Sequence, residues 1–478
     1  MSRSTSSNGL GRREFLEHTA WAVTAAAIGG TAAKAAPVQG KASLVGFAAP
    51  KLEKIRVAVI GTGGRGGAAV HRLCNVPGVE VVALCELDEG KAKRHQQTLK
   101  KNGFKEPQLF IGPEAYKKLC ESGVCDLVHI NTNWESHGMI ARYSAECGIH
   151  TMVEVPGVRR IDDAWAIVEA AEKNRCHCMV LSNCCYDEDA MTMINAAHAG
   201  ILGELVHGEG CYLHFTRNSR SQGFHDANRI FSSLEALRNH TGMCYCVHAL
   251  GPISLAMNIN RGDRLEHLVS MGSRGFAWQM YAQKKFGPNA PVSKISFEAN
   301  DFNTTCIYTA QGKTILLRQC NDVPMPYTRF NAIYGFNGTI ETRPLRVAIE
   351  KKFDAGTGDF LEGAELDAFR AKYGSPLWNK DAATAKRLGG HGGQDYFMDY
   401  RWAHCIRNGL PLDMSVYDFA AWSSIFELSE RSVRNRSQAQ DIPDFTRGAW
   451  KAKSRCNLMD ADMPASELQA CSVPSAVA

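Results

Sequence analysis

Residues 55–66 read Ile-Arg-Val-Ala-Val-Ile-Gly-Thr-Gly-Gly-Arg-Gly, an apolar run that enters the spacing Gly61-x-Gly63-x-x-Gly66. Glycine at these places lets the chain turn tightly at Gly61, lets backbone amides approach a pyrophosphate at Gly63, and lets a helix lie close to the strand at Gly66. Gly64 and Arg65 complete the turn. A second apolar run, 79–85, ends at Glu86, whose carboxylate would accept hydrogen bonds from ribose hydroxyls and repel a 2′-phosphate. The chemistry is dinucleotide binding, with NAD favoured over NADP. Arg65 argues the other way, since an arginine near the ribose can hold that phosphate. Glycine-rich turns are common. This one acquires meaning from the strand predicted before it, at 57–60, and the helix predicted after it, at 68–73.

A turn of this kind must sit on a parallel sheet. Residues 126–131, 150–155 and 178–181 read as short buried strands alternating with helices over 135–147 and 161–173. Such alternation requires right-handed crossovers. Ligands of these sheets bind beyond the carboxyl ends of the strands, so Trp134, Glu135, Ser136, His137, Glu154, Val155 and Asn183 are expected to border the dinucleotide. Trp134 and His137 also fit as packing residues at a helix start. From about Asp187 the pattern changes. A helix at 190–199 is followed by alternating runs at 205–215, 265–272, 304–309, 314–319, 330–334 and 338–342, which read as an antiparallel sheet partly facing solvent or a partner. Helices are expected at 394–408 and 416–431.

The predicted class is therefore α/β, a Rossmann dinucleotide-binding domain followed by a second α/β domain on an open, mainly antiparallel sheet. The expected organisation is a signal at 1–35, a linker at 36–53, the Rossmann domain at 54–186, a substrate and oligomerisation domain at 187–443, and a loosely ordered tail at 444–478.

At the amino terminus, Arg12-Arg13 precedes a weakly hydrophobic, alanine-rich run from Ala20 to Ala33, with Ala33-Lys34-Ala35 as a small-residue cleavage site. This resembles a twin-arginine export signal, the other reading being an amphipathic or disordered terminus. The run is too short and too poor in Leu and Ile for a membrane anchor, which needs roughly 20 apolar residues. The expected location is periplasmic or secreted. An exported protein that loads its dinucleotide before export cannot exchange it after each turnover, so oxidation and reduction should fall within one catalytic cycle. A net charge of +5 over 478 residues, with no basic patch carrying interleaved aromatics, argues against nucleic acid. The 17 cysteines lack the spacing of a metal site and read mostly as small buried residues, with few disulfides expected.

Further segments carry a resemblance. Trp134-Glu135-Ser136-His137, Glu154-Val155-Pro156, Asn183-Cys184-Cys185-Tyr186, Asn258-Ile259-Asn260-Arg261-Gly262 and Gly390-His391-Gly392-Gly393-Gln394-Asp395-Tyr396 resemble the bacterial NAD-dependent alpha-N-acetylgalactosaminidase family. That family lies within the Gfo/Idh/MocA superfamily, and the likeness covers roughly residues 54–452. It implies a glycoside hydrolase in which bound NAD transiently oxidises carbon 3 of the sugar. Elimination across C1 and C2, water addition and re-reduction follow, and the cofactor ends as it began. Paired carboxylates flanking the anomeric carbon are not needed.

The resemblance also implies roles. His248, in Tyr245-Cys246-Val247-His248, is expected as the proton-transfer base, the alternative being a cap on a helix over 249–257. Tyr212 would protonate or orient the glycosidic oxygen, or is simply a strand tyrosine. Tyr245 would border both cofactor and sugar, and Arg238 and Tyr327 would bind sugar hydroxyls. His391 and Asp395 sit on a glycine-rich loop that would close over the site, with no role assigned. Two departures matter. Val155 stands where the superfamily's sugar dehydrogenases carry a lysine, so another base is needed for proton transfer. Residues 216–237 bear little likeness to the family, which leaves the sugar open. The competing function is a periplasmic NAD(P)-dependent sugar oxidoreductase. The expected partners are a small-molecule glycoside and further copies of the chain, without nucleic acid, metal or a stable membrane anchor.

Overall fold

Every residue of β1 (Ile55–Ile60) except Arg56 is buried. Helices cover both faces of the strand, and an unbroken Ile, Val and Ala run is what such a strand requires. The computed structural model describes residues 43–217, 223–350 and 358–454, so the expected export signal lies outside the described residues. β1 sits within a parallel sheet ordered β3-β2-β1-β4-β5-β6, with β2 (Val79–Glu86), β3 (Gln108–Ile111), β4 (Leu127–Ile130), β5 (His150–Val153) and β6 (Cys178–Val180). The intervening helices are α1 (Gly64–Leu73), α2 (Glu89–Lys101), α3 (Ala115–Glu121), α4 (Trp134–Glu146) and α5 (Ile161–Asn174). Strand order reverses between β1 and β4, where the loops leaving the strands part and open a crevice.

After α6 (Glu188–His198) the chain builds a second sheet, ordered β13-β12-β11-β7-β10-β9-β8-β14. Its strands are β7 (Leu205–Leu213), β8 (Leu265–Gly272), β9 (Asn303–Thr309), β10 (Thr314–Cys320), β11 (Asn331–Gly335), β12 (Gly338–Glu341), β13 (Arg346–Ile349) and β14 (Gln440–Asp441). β7 pairs parallel with β10, and the other pairings are antiparallel. β9 alternates buried and outward-facing residues, as a sheet covered on one face must. This is the two-sheet architecture expected from the sequence. The remaining helices are α7 (Ser232–Ala236), α8 (Val247–Ala256), α9 (Ala277–Phe286), α10 (Gly363–Tyr373), α11 (Pro376–Leu388), α12 (Gln394–Asn408) and α13 (Val416–Arg434). Among the described residues no helix is long and apolar enough to cross a membrane, and most of the cysteines are buried.

Two long helices pack against the first sheet, and the second of them also reaches the other sheet. α12 is buried along nearly its whole length and carries an ion pair from Asp399 to Arg72 of α1 at 2.6 Å. α13 starts on a capping box between Ser415 and Asp418 and packs against α5, β6 and β8. The segment expected as the start of a loose tail is folded. Phe445 packs at a tilt on Trp165 with ring centroids 4.6 Å apart, and Arg447 bonds Glu172 at 2.8 Å. That aromatic contact and ion pair hold the backbone to α5, where composition alone suggested a mobile end. Part of the expected linker is likewise attached, through Leu44 N to the Tyr417 hydroxyl and Ala49 N to His177 Nε2.

Candidate active site

Gly61 turns with φ +83°, and a Cβ there would lie 2.9 Å from the Asn131 backbone. At Gly66 a Cβ would sit 1.8 Å from the Gly61 carbonyl oxygen, so only glycine lets α1 approach β1 this closely. Gly63 and Gly64 differ. A Cβ on either would meet nothing within 4 Å, and Gly63 precedes the first turn of α1 with no side chain to cap it. The turn therefore presents open space beside uncapped backbone amides, which suits a pyrophosphate at a helix amino terminus. Glu86 holds the turn by accepting from Thr62 N at 2.6 Å and Thr62 Oγ1 at 3.0 Å. Together with Gly61, Gly63, Asn131–Asn133 and Ser136 it lines a cleft of about 390 Å³. Its Oε1 accepts from Leu87 N at 2.8 Å and, over a longer 3.5 Å, from Asp88 N, so a ribose hydroxyl would share these acceptors. These residues fit NAD.

A second cavity, of about 470 Å³, shares Asn131–Asn133 and Ser232 with this cleft. Glycine also makes its far wall. Gly210 of β7 lies under α8, and a Cβ on it would be 2.2 Å from the Ala249 carbonyl. The close approach brings His248, in the first turn of α8, against Tyr212, with ring centroids 5.1 Å apart. Tyr245 packs on both at 5.1 Å, and Trp134 packs on Tyr245 at 5.6 Å. His248 is buried, and its Nδ1 has no hydrogen-bond partner. Burial, with Arg329, His391 and Arg65 nearby, holds its pKa well below the ordinary histidine range. The imidazole is therefore neutral near pH 7, with an open nitrogen able to accept a proton. Burial pushes the phenols of Tyr212 and Tyr245 above their usual range, so both remain protonated donors.

A buried charge network braces the cavity. Arg65 reaches Glu154 through Nε and Asp395 through Nη1 at 2.5 Å. Asp395 also accepts from Asn183 Nδ2 at 2.6 Å and from His391 Nδ1 at 3.1 Å. Burial opposes the charge on Arg65, but the carboxylates of Glu154 and Asp395 raise its pKa above the usual arginine value. The guanidinium is thus committed to those carboxylates rather than to a phosphate beside Glu86, which removes the sequence argument for NADP. His391 is half exposed at the cavity edge, with φ +54° between glycines.

The structure brings Gly64, Arg65, Trp134, Glu154, Val155, Asn183, Tyr212, Tyr245 and His248 into the main cavity, and Gly61, Gly63, Glu86 and Ser136 into the adjoining cleft. Tyr327 stands at the rim, edge-on to Tyr212 at 6.1 Å and His214 at 4.8 Å. Three expectations need correction. Arg238 lines neither space; it is exposed beside α7 and pairs with Glu235 at 3.2 Å. Glu135 turns outward to Arg159, because the first turn of α4 points it away from the glycine loop. His137 is fully buried between the Gly157 and Thr132 carbonyls, at 3.0 and 3.1 Å, so it supports the loop from behind. His248 lies inside α8 rather than capping it. The sequence reading did not single out His214, whose Nδ1 is 2.9 Å from the Tyr212 hydroxyl. Its spacing of two from Tyr212 along the chain was the available signal. It also missed the buried Arg329, which bonds Asp187 at 2.7 Å and Gln394 at 2.9 Å behind the cavity.

Comparison with known proteins fits this geometry. Residues 55–182 match the oxidoreductase family NAD-binding Rossmann fold, and residues 186–452 match the glycosyl hydrolase 109 C-terminal domain. The chain is 41% identical over 414 residues to an alpha-N-acetylgalactosaminidase of Bacteroides fragilis, covering 85% of this chain and 96% of the relative. It is 36% identical over 458 residues to a glycosyl hydrolase family 109 protein of Shewanella amazonensis, covering 95% and 100%. Among solved structures, levoglucosan dehydrogenase in complex with NADH shares the fold with a TM-score of 0.61 at 16% identity, over 82% of this chain and 99% of that one.

Proposed function

Given that the chain belongs to glycosyl hydrolase family 109 and is an NAD-dependent glycosidase, we propose that it hydrolyses N-acetylgalactosaminides with His248 as the proton-transfer base. The carrying observation is the buried His248 imidazole with an unpartnered Nδ1, packed against the Tyr212 and Tyr245 rings in a cavity that Gly64 and Arg65 of the glycine turn also line. Bound NAD supplies a reversible two-electron acceptor for carbon 3 of the sugar. Gly63, Gly64 and the start of α1 would hold its pyrophosphate, and Glu86 its ribose. His248 moves protons at the 3-hydroxyl and at carbon 2, the work that Val155 cannot do. Tyr212 and Tyr245 donate to the oxygen on which charge develops. His391, with Nδ1 engaged by Asp395, presents Nε2 for the glycosidic oxygen. The test is incubation of the purified protein with p-nitrophenyl α-N-acetylgalactosaminide and no added NAD. Hydrolysis without net NADH is expected. A keto-sugar or lactone accumulating in its place would favour a sugar oxidoreductase.

Location and assembly follow from the same reading. Arg12-Arg13 before the alanine-rich run supports export of the folded, cofactor-loaded chain. An Arg12→Lys, Arg13→Lys variant exported as well as the parent would overturn this. The outward face of the second sheet exposes Val206, Met271 and Tyr308, which supports association with a second copy. Light scattering that finds a monomer would remove that part.

A further inference from the structure

We propose that α7 is a strap from the second domain that fastens the dinucleotide in its cleft and keeps it there between turnovers. The inference rests on the NAD-dependent reading above and adds the segment responsible for retention. Among the described residues that line the dinucleotide cleft, Ser232 alone lies outside residues 55–182. It also lines the main cavity, and the two spaces otherwise share only Asn131–Asn133 after β4. The junction between them is therefore formed by the loop after β4 and by α7. A dinucleotide with its ribose at Glu86 and its nicotinamide beside His248 crosses that junction, so it lies against both segments.

The strap is pinned on both sides of α7 and from within. Before the helix, Phe231 N donates to the Gly223 carbonyl at 3.0 Å. After it, the carbonyls of Leu237 and Arg238 accept from Ala299 N at 3.3 Å and Glu298 N at 3.0 Å. Leu234 is fully buried among Phe224, Trp278, Ala282, Val292 and Phe297, a small core separate from the main one. Leu237 packs with Cys244, Ala299 and Phe426, and Trp134 at the start of α4 leans on that group. A segment held by its own small core can open while the two sheets stay folded, and that opening is the step that lets the dinucleotide out. A dehydrogenase has to release its reduced cofactor after each turnover. A glycosidase that oxidises and re-reduces one sugar in place loses activity whenever its dinucleotide leaves, so a fastening serves it. α7 lies within residues 216–237, where the chain bears little likeness to its family, so the fastening is placed where the sequence has diverged.

The test follows the dinucleotide content of purified holoenzyme over time, with an NAD glycohydrolase in the medium to destroy whatever is released. Leu234→Ala should lose its dinucleotide about 10- to 100-fold faster than the parent, because deleting a buried side chain loosens the anchor and raises the open fraction. Excess added NAD should return the variant to the parent's kcat, which a general folding defect would not allow. A second measurement uses unaltered protein, so it stands even if the variant folds poorly. Backbone hydrogen exchange at residues 231–237 should be about 10-fold slower or more with NAD bound than without it. A Leu234→Ala enzyme that releases its dinucleotide at the parent's rate, or exchange at 231–237 that ignores NAD, would overturn the proposal. Neither readout needs a sugar. A protein that holds NAD beneath the strap yet hydrolyses no glycoside therefore supports this inference and sinks the glycosidase reading instead.

Discussion

Replacing Asp395 by Asn keeps its shape and removes its charge at the point where four donors converge. The side chain is fully buried and accepts from Arg65 Nη1 at 2.5 Å, Arg65 Nη2 at 3.2 Å, Asn183 at 2.6 Å and His391 at 3.1 Å, with Arg72 3.7 Å away. Burial favours the neutral acid, but His391, Arg65 and Arg72 hold its pKa well below the usual carboxylate range, so it is ionised at neutral pH. Removing one member of a buried ion pair costs about 3–5 kcal/mol. Arg65 keeps Glu154 and Arg72 keeps Asp399, so about 2–4 kcal/mol is expected, a range that includes turning one acceptor into a donor facing donors. Urea unfolding followed by tryptophan fluorescence measures it. The same change frees His391 Nδ1, so glycosides with poor leaving groups should slow by about 10²–10⁴-fold, the usual scale of acid-base assistance, while nitrophenyl glycosides slow far less. An Asp395→Asn enzyme as stable as the parent, or one that slows good and poor leaving groups alike, refutes the reasoning.

Other outcomes follow from the site and its surroundings. His248→Asn should lower kcat/KM by about 10²–10⁴-fold on every aryl glycoside. Because the depressed pKa of His248 delays its protonation, the acid limb of the parent should fall below the ordinary histidine range; a limb at or above about 6.5 contradicts this. Gly66→Ala drives a Cβ into the Gly61 carbonyl and should cost about 1–3 kcal/mol or more, with loss of co-purifying dinucleotide. Normal nicotinamide content in that variant would count against the assigned turn. Burial lowers the pKa of His150 to about 4 and that of His177 to about 3. The unfolded chain binds these protons first, so their stabilisation is complete above about pH 6.5 and is lost as pH falls toward those values. Each costs up to about 1.4 kcal/mol per pH unit in that window. His177→Gln should flatten the acid slope of unfolding by about one proton, and an unchanged slope would exclude His177 as a source.

Nearly all predicted strands and helices of the first sheet lie within a few residues of their observed ends, because their signals are local. The buried runs at β1 and β2 and the glycine spacing depend on neighbours a few positions away. The same holds for α12, predicted at its observed bounds of Gln394–Asn408. Helices α9 and α11 were not anticipated, and α11 is broken by a non-helical Asp381. Residues 444–451 looked mobile because their anchors, Trp165 and Glu172, lie far away along the chain.

By itself, then, the sequence determined the fold class, the dinucleotide turn, the residue types available for proton transfer and, through resemblance, the reaction. Tertiary structure alone decided which way those side chains turn. Arg65 and Asp395 are 330 residues apart, yet they share two hydrogen bonds. Glu135 faces away from the site because of its place in the first turn of α4, where it pairs with Arg159, and Arg238 lies exposed beside α7, paired with Glu235. Periodicity specifies a face of a helix or strand. Which faces meet, and which buried charge or carboxamide finds a partner, depends on packing between segments far apart in the chain.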